Sequence, residues 1–242
     1  EKYARWDRKA VHTVQKYSAI RKADAIICVS EQTKNDLINY CDISKDQKIF
    51  VIHNGVSDIF KPHNEIVCNE SKRPYLLYVG NRAGYKNFIL LLSAMEKFKD
   101  YDLYVVGGEP VTSKEERFIE SRLKGKVKFF RNVSGVQLGE FYRNAFCFVC
   151  CSLDEGFGIP IAEAMSSGCP VICLDRPIFR EVAGENGIFI ENDVDDLVQN
   201  VFWLENNWLS QKIELAKYDH RFTWDKTHDQ TLAVYQQLSG MG

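Results

Sequence analysis

The stretch Ser152-Leu153-Asp154-Glu155-Gly156-Phe157-Gly158-Ile159-Pro160-Ile161-Ala162-Glu163-Ala164-Met165 decides how this chain folds. It follows the apolar run Cys147-Phe148-Val149-Cys150 and leads straight into a helical pattern, so it reads as the loop of a strand–loop–helix unit. Pro160 suits a first helical turn, and Gly168 followed by Pro170 suits the helix end. Gly156 and Gly158 let backbone approach a ligand closely. The helix start adds N–H groups and a partial positive charge, a combination that fits a diphosphate at the carboxyl end of a sheet strand.

Outward from this unit, short apolar runs alternate with amphipathic patterns. Strands are predicted at 25–29, 49–53, 75–79, 103–106, 127–130, 147–150, 171–173 and 188–190. Each is apolar on both faces, as parallel strands covered by helices are. Helices are predicted at 4–22, 31–41, 86–98, 113–123, 136–144, 160–167, 178–182, 194–205 and 224–238. Repetition of this unit makes an α/β domain with a doubly wound, Rossmann-like parallel sheet. Strand order is not legible from sequence.

A boundary falls at 61–74, where polar residues bracketed by Pro62 and Pro74 show no periodicity. Before it stand two strands and two helices, too few for an independent core. Residues 1–60 are therefore expected to be the tail of a preceding domain, 61–74 a linker, 75–206 the main α/β domain, and 207–242 C-terminal helices packing back towards the preceding domain. The chain opens without methionine and without a signal-peptide pattern, as expected of a fragment or processed product.

The chain has 242 residues, 45% hydrophobic and 26% charged, with a formal net charge of −2. That charge argues against general nucleic-acid binding, which calls for clustered Lys and Arg. No apolar run approaches the ~20 residues of a membrane span. The opening segment is locally basic, with Lys2, Arg5, Arg8, Lys9, Lys16, Arg21 and Lys22 against Glu1 and Asp7. It reads as a solvated helix face or as a surface drawn to anionic lipid. Cys147 and Cys150 form a C-x2-C, and Cys169 and Cys173 a C-x3-C, yet both lie in strand patterns. Residues three apart on a strand point to opposite faces, so buried thiols rather than zinc ligands are expected.

Two carboxylates bracket the central loop, Glu155 and Glu163. Glu163 lies about one turn into the helix, where it can accept hydrogen bonds from both hydroxyls of a ribose, as an acid of Rossmann proteins does. Glu155, in the loop, can bind hydroxyls of a sugar. A plainer account also fits: a helix-start acid complementing the dipole, and a solvated surface acid. Asp193-Val194-Asp195 is formally a D-x-D but opens a helix, where Asp caps. Ser30 reads as a helix cap, and His53 as a packing residue.

Residues 155–172, E-G-F-G-I-P-I-A-E-A-M-S-S-G-C-P-V-I, closely resemble the E-x7-E signature of glycosyltransferase family 4. Tyr75-Leu76-Leu77-Tyr78-Val79-Gly80-Asn81-Arg82-Ala83-Gly84-Tyr85-Lys86-Asn87 resembles that family's strand–loop–helix in which an Arg and a Lys clamp the donor pyrophosphate. Lys86 matches the lysine; Arg82 is offset by one from the usual arginine position, which Asn81 holds. Phe130-Arg131-Asn132-Val133-Ser134 resembles the segment that passes the nucleotide base, and Phe222-Thr223-Trp224-Asp225 the start of the final helix.

The resemblance implies a GT-B fold and retaining transfer of a sugar, a hexose by expectation, from a nucleotide-diphosphate sugar to an acceptor hydroxyl. It assigns catalysis to Glu155, Lys86 and Arg82. It assigns donor contacts to Gly80, Asn81, Arg82, Lys86, Val133, Glu155, Gly156, Phe157, Gly158, Ile159 and Glu163. No metal and no cofactor are implied. The expected partners are a GDP-, UDP- or ADP-linked sugar and a lipid-linked or saccharide acceptor. The expected setting is polysaccharide or lipopolysaccharide (O-antigen or capsule) assembly, with mannose as the sugar, at a cytoplasmic site peripheral to the inner face of the membrane. Two other readings stay open: a nucleotide-sugar-binding fragment that transfers nothing, and a nucleotide-sugar epimerase on the same scaffold. A dinucleotide oxidoreductase is disfavoured, since no G-x-G-x-x-G follows the strand at 75–79. A glycosidase is disfavoured because it requires no cationic clamp.

Overall fold

The apolar runs pair in parallel throughout, because strands apolar on both faces must be covered on both. The computed structural model describes residues 13–61, 73–82, 84–216 and 221–240. The chain divides into two compact units, one of Glu1–Gly55 with Trp224–Gly242, the other of Val56–Thr223. The basic residues Lys2, Arg5, Arg8 and Lys9, and most of the expected linker, lie outside the described residues.

In the first unit, helix α1 (residues 13–22) precedes β1 (Ala25–Cys28), α2 (Glu31–Tyr40) and β2 (Lys48–Val51). The two strands run parallel with Ala25 opposite Lys48 and Cys28 opposite Val51. Ser30 caps α2 by accepting from Thr33 N–H at 3.0 Å, as its position before the helix predicts. The Gln47 amide joins the end of α1 to the turn before β2 by donating to the Ile20 and Ala23 carbonyls at 2.5 and 2.8 Å. Helix α9 (Trp224–Ser239) belongs to this unit, and Thr227 Oγ1 donates to the His53 carbonyl at 2.8 Å.

The second unit carries β3 (Tyr75–Val79), α3 (Phe88–Met95), β4 (Asp102–Val106), α4 (Ser113–Arg122), β5 (Val127–Phe130) and α5 (Gly135–Asn144). It continues with β6 (Cys147–Cys150), α6 (Ile159–Ser166), β7 (Val171–Leu174), α7 (Pro177–Ala183), β8 (Ile188–Ile190) and α8 (Val194–Ala216). The six strands form one parallel sheet in the order β5-β4-β3-β6-β7-β8. Strand order therefore reverses between β3 and β6. Crevices at such a reversal, outside the carboxyl ends of the strands, are where doubly wound sheets bind ligands. α3 packs on α8, and α5 on α6. Between the layers Leu76, Leu77, Leu91, Leu103 and Phe179 are fully buried. The unit's ends meet where Val56 N–H donates to the Phe222 carbonyl at 3.0 Å.

Two elements depart from the sequence reading. The helix expected from residue 86 begins at Phe88, because Gly84–Lys86 forms a 3-10 turn and Asn87 adopts a left-handed φ of 51°. α8 runs unbroken to Ala216, through the boundary expected at 206/207, since neither Gly nor Pro interrupts Val194–Ala216. The two units divide instead at Gly55/Val56 and Thr223/Trp224. Cys147, Cys150, Cys169 and Cys173 are buried. No helix of the described residues is long and apolar enough to cross a membrane.

Candidate functional site

The loops leaving β3 and β6 lie side by side at the strand-order reversal. After β3, Gly80 turns the chain at a φ of +123°, and its N–H donates to the Val106 carbonyl at 2.9 Å. Tyr78 Oη donates to the Asn81 carbonyl at 2.6 Å and fixes that turn. After β6, Leu153 N–H donates to the Tyr85 carbonyl at 2.8 Å. This backbone tie brings the 3-10 turn carrying Lys86 against the loop carrying Glu155.

As a result Lys86 Nζ donates to Glu155 Oε1. The two side chains are 14% and 17% exposed, so the pair is substantially shielded from water. Lys86 Nζ also lies 5.2 Å from the centre of the Tyr85 ring. Gly156 and Phe157 follow, and buried Phe157 sets its ring edge against Phe222 at 5.1 Å and 88°. Gly158, at a φ of 89°, then caps α6 without any side-chain hydrogen bond. A side chain at that φ would be strained, and Ile159-Pro160 opens the helix. The positive end of α6 thus follows Glu155 by four residues in the same loop.

Glu163 projects from the second turn of α6. Burial raises its carboxyl pKa to about 7, against a smaller lowering by the Tyr142 hydroxyl, which donates to Oε2 at 3.0 Å. A carboxyl so perturbed by burial is a candidate ligand-binding position.

Arg82 is the departure. Its side chain is 4% exposed and pairs with Glu115 rather than with Glu155. Nε donates to Glu115 Oε1 at 2.8 Å, and Nη2 donates to the Glu109 and Pro110 carbonyls at 2.5 and 3.1 Å. The guanidinium sits over Phe129 at 5.3 Å and Phe88 at 5.9 Å. Arg82 therefore pins the loop after β4 to the loop after β3. The other oxygen of Glu115 accepts the Thr112 N–H at 2.7 Å in the capping box of α4. Burial raises the Glu115 pKa, but the bonds from Thr112 and Arg82 outweigh it and leave the carboxyl below its usual value. Val133 lines a cavity of about 780 Å³ with Arg73, Tyr104, Phe130, Glu140 and Trp208. Lys86, Glu155 and Glu163 are not among the residues lining that cavity.

Three contributors were not singled out from sequence. Thr112-x-x-Glu115 is legible as a capping box, but nothing in it signals Arg82. Gly108 (φ +78°) allows close backbone approach: a Cβ there would sit 2.9 Å from the Gly80 carbonyl oxygen and 2.9 Å from Arg82 Nη1. Tyr142 reads only as an apolar position of α5. The D-x-D is a helix start, as expected: Asp193 Oδ1 accepts the N–H groups of Asp195 and Asp196 at 2.9 and 3.0 Å.

Residues 61–222 match the family model described as "Glycosyl transferases group 1", and residues 1–58 match "Glycosyltransferase Family 4". An O-antigen chain mannosyltransferase of Salmonella typhimurium is 30% identical over 178 residues, 72% of this chain and 49% of that protein. A GDP-mannose:cellobiosyl-diphosphopolyprenol alpha-mannosyltransferase of Xanthomonas oryzae is 26% identical over 243 residues, 95% of this chain and 62% of that one. The chain thus spans about half to 62% of the length of these two relatives. Sucrose-phosphate synthase from Thermosynechococcus elongatus superposes with a TM-score of 0.79 at 23% identity, over 94% of this chain and 61% of that one, so the fold is of the GT-B type. A parallel sheet reversing at β3/β6, an acid pair spaced E-x7-E at the reversal, and a family model matched across 61–222 agree: the chain belongs to the glycosyl transferases group 1 family.

Proposed function

We propose that this chain is the donor-binding part of a retaining glycosyltransferase that moves a mannosyl group from GDP-mannose to an acceptor hydroxyl in the assembly of a cell-surface polysaccharide. The observation that carries the reading is the convergence of Lys86, Glu155 and the start of α6 at the strand-order reversal. Mannose and GDP are chosen because two relatives are named mannosyltransferases, one of them specific in name for GDP-mannose.

In this reading the diphosphate lies against the start of α6 and Lys86. The bond from the anomeric carbon to the diphosphate oxygen breaks with its electron pair going to that oxygen, and Lys86 and the helix dipole stabilise the charge. The acceptor oxygen bonds to the anomeric carbon on the same face, and its proton passes to the departing diphosphate. Glu155, released from Lys86, accepts the sugar's hydroxyls, and Glu163 accepts those of the ribose. Gly80, Asn81, Gly156, Phe157 and Ile159 shape the backbone around them. Arg82 holds the loops rather than the phosphates. No metal is needed, since Lys86 and the helix supply the positive charge. The site of action is the cytoplasmic face of the membrane, with peripheral attachment.

Calorimetric titration with GDP, UDP and ADP, each with and without EDTA, tests the donor site. Selective, metal-independent GDP binding supports it. Binding of UDP or ADP alone overturns GDP-mannose, and a requirement for metal overturns the charge assignment. A second reading, a nucleotide-sugar-binding fragment without transfer, is favoured by the chain's span of 49% and 62% of two relatives. Donor binding with no mannosyl transfer to a lipid-linked saccharide, while a version extended to the relatives' length transfers it, would establish that second reading.

A further inference from the structure

Glu163 stands alone on its helix as an acid, yet it does not stand alone in space. Tyr142, near the end of α5, is completely buried. Its ring is held between edge contacts to Phe60 (5.9 Å, 75°) and Phe148 (5.7 Å, 80°), so its hydroxyl has a fixed direction. That hydroxyl donates to Glu163 Oε2 at 3.0 Å. Burial first, then the neighbouring Glu163 charge, holds the phenol far above its usual pKa, so it remains a neutral donor. One phenol bond occupies one of roughly four acceptor positions on a carboxylate, which leaves room for two ribose hydroxyls.

From this geometry we infer that Tyr142 is a positioning residue for ribose recognition, acting only through Glu163. Its hydroxyl sets the orientation of the carboxyl group and favours the ionised form that ribose hydroxyls bind. Without it, burial would drive Glu163 further towards the neutral acid, which accepts hydrogen bonds poorly. The Phe60 and Phe148 edges make the arrangement rigid before any ligand arrives, and pre-organisation of this kind is what strengthens binding. The inference rests on the proposed ribose role of Glu163.

The test is a double-mutant cycle on the whole chain, read as the preference for GDP over 2′-deoxy-GDP, with UDP and 2′-deoxy-UDP measured in parallel. A purely structural loss weakens both members of a pair alike and leaves the preference unchanged. The expected result is a preference of roughly tenfold or more in the unmodified chain, as for hydrogen bonds to a charged group. It should fall several-fold in Tyr142→Phe, vanish in Glu163→Ala, which removes every acceptor, and fall no further in the double variant. If the preference persists in Glu163→Ala, the ribose reading itself is wrong. If it vanishes in Glu163→Ala but is unchanged in Tyr142→Phe, the ribose reading stands and the inference is overturned. Should Tyr142→Phe fail to fold, 3-fluorotyrosine at position 142 keeps the ring and strengthens the donor. An increased preference then supports the inference, and an unchanged or reduced one overturns it.

Discussion

Lys86 and Glu155 are 69 positions apart in sequence and form a direct ion pair. Neither has to reach far, because the Leu153 N–H and the Tyr85 carbonyl join their two loops at 2.8 Å. In the structure each charge satisfies the other. A donor that brings both a diphosphate and sugar hydroxyls offers each partner a replacement, so the pair is poised to exchange rather than to lock. Lys86→Met should therefore have two effects. Left unpaired and 17% exposed, Glu155 should lower stability by about 2–3 kcal/mol, less than for a fully buried pair, as read by chemical denaturation. Single-turnover mannosyl transfer should fall about 100- to 1,000-fold, with donor affinity falling much less. Equal losses in affinity and in transfer would contradict a role for Lys86 in stabilising the departing charge.

Burial pushes the Glu163 carboxyl up to about 7 by disfavouring its charge. If, as proposed, ribose hydroxyls bind the ionised carboxylate, GDP affinity should be constant above pH 8. Below about pH 7 it should weaken by as much as tenfold per pH unit. Phosphate titration contributes near the same pH, so the control is 2′-deoxy-GDP, whose affinity should fall less steeply. Parallel pH profiles for the two nucleotides would remove Glu163 from ribose recognition.

The same shift makes Glu163 a cost to folding. Its pKa is raised from 4.5 to about 7 in the folded chain, so the folded state holds the proton more tightly than the unfolded state does. Between those two values stability falls as pH rises, and above pH 7 the whole penalty is present. Glu163→Gln, which can still accept from Tyr142, should be more stable than the unmodified chain at pH 8, and the advantage should shrink steadily as pH drops from 7 towards 4.5. Thermal melts at pH 8, 6 and 5 check this. A variant less stable at pH 8 than at pH 5, relative to the unmodified chain, would reverse the sign and refute the burial argument. A gain in stability on removing a functional acid is the expected trade-off at a binding site.

The fold was legible because each strand is short and apolar on both faces and the helical patterns between them are bounded by residues such as Ser30 before α2 and Pro160 in the first turn of α6. The E-x7-E spacing located the acids on one loop–helix unit. Strand order was not legible, because parallel strands pair over long sequence distances and leave no local mark of their neighbour. Side-chain direction after Gly80 was hidden for a related reason. Chemistry gives Arg82 and Lys86 claims on a diphosphate, and nothing local to Arg82 signals its pairing with Glu115 on α4. Tyr142 looked like one more apolar position, and its hydroxyl acquires meaning only when α6 packs beside α5.

Arg82 supplies the sharpest test of that last distinction. Its ion pair with Glu115 is 4% and 17% exposed, and its Nη2 ties down the Glu109 and Pro110 carbonyls. Arg82→Met would take one donor from three acceptors at once, while Glu115 keeps its bonds to Thr112 and the Glu109 carbonyl keeps Arg131 Nη2 at 3.4 Å. Breaking a shielded pair of this kind costs about 3 kcal/mol or more, so the variant should melt well below the unmodified chain. Arg82→Lys should recover little, because a single ammonium cannot span Glu115 and two carbonyls as the guanidinium fork does. Affinity for GDP, measured at a temperature where both variants are folded, should change less than about threefold, since a loop anchor touches no phosphate. A GDP affinity loss of 100-fold with unchanged stability would mean that Arg82 leaves Glu115 for the diphosphate when donor binds. The arginine would then be a clamp, as the resemblance implies, and the loop would reorganise on binding.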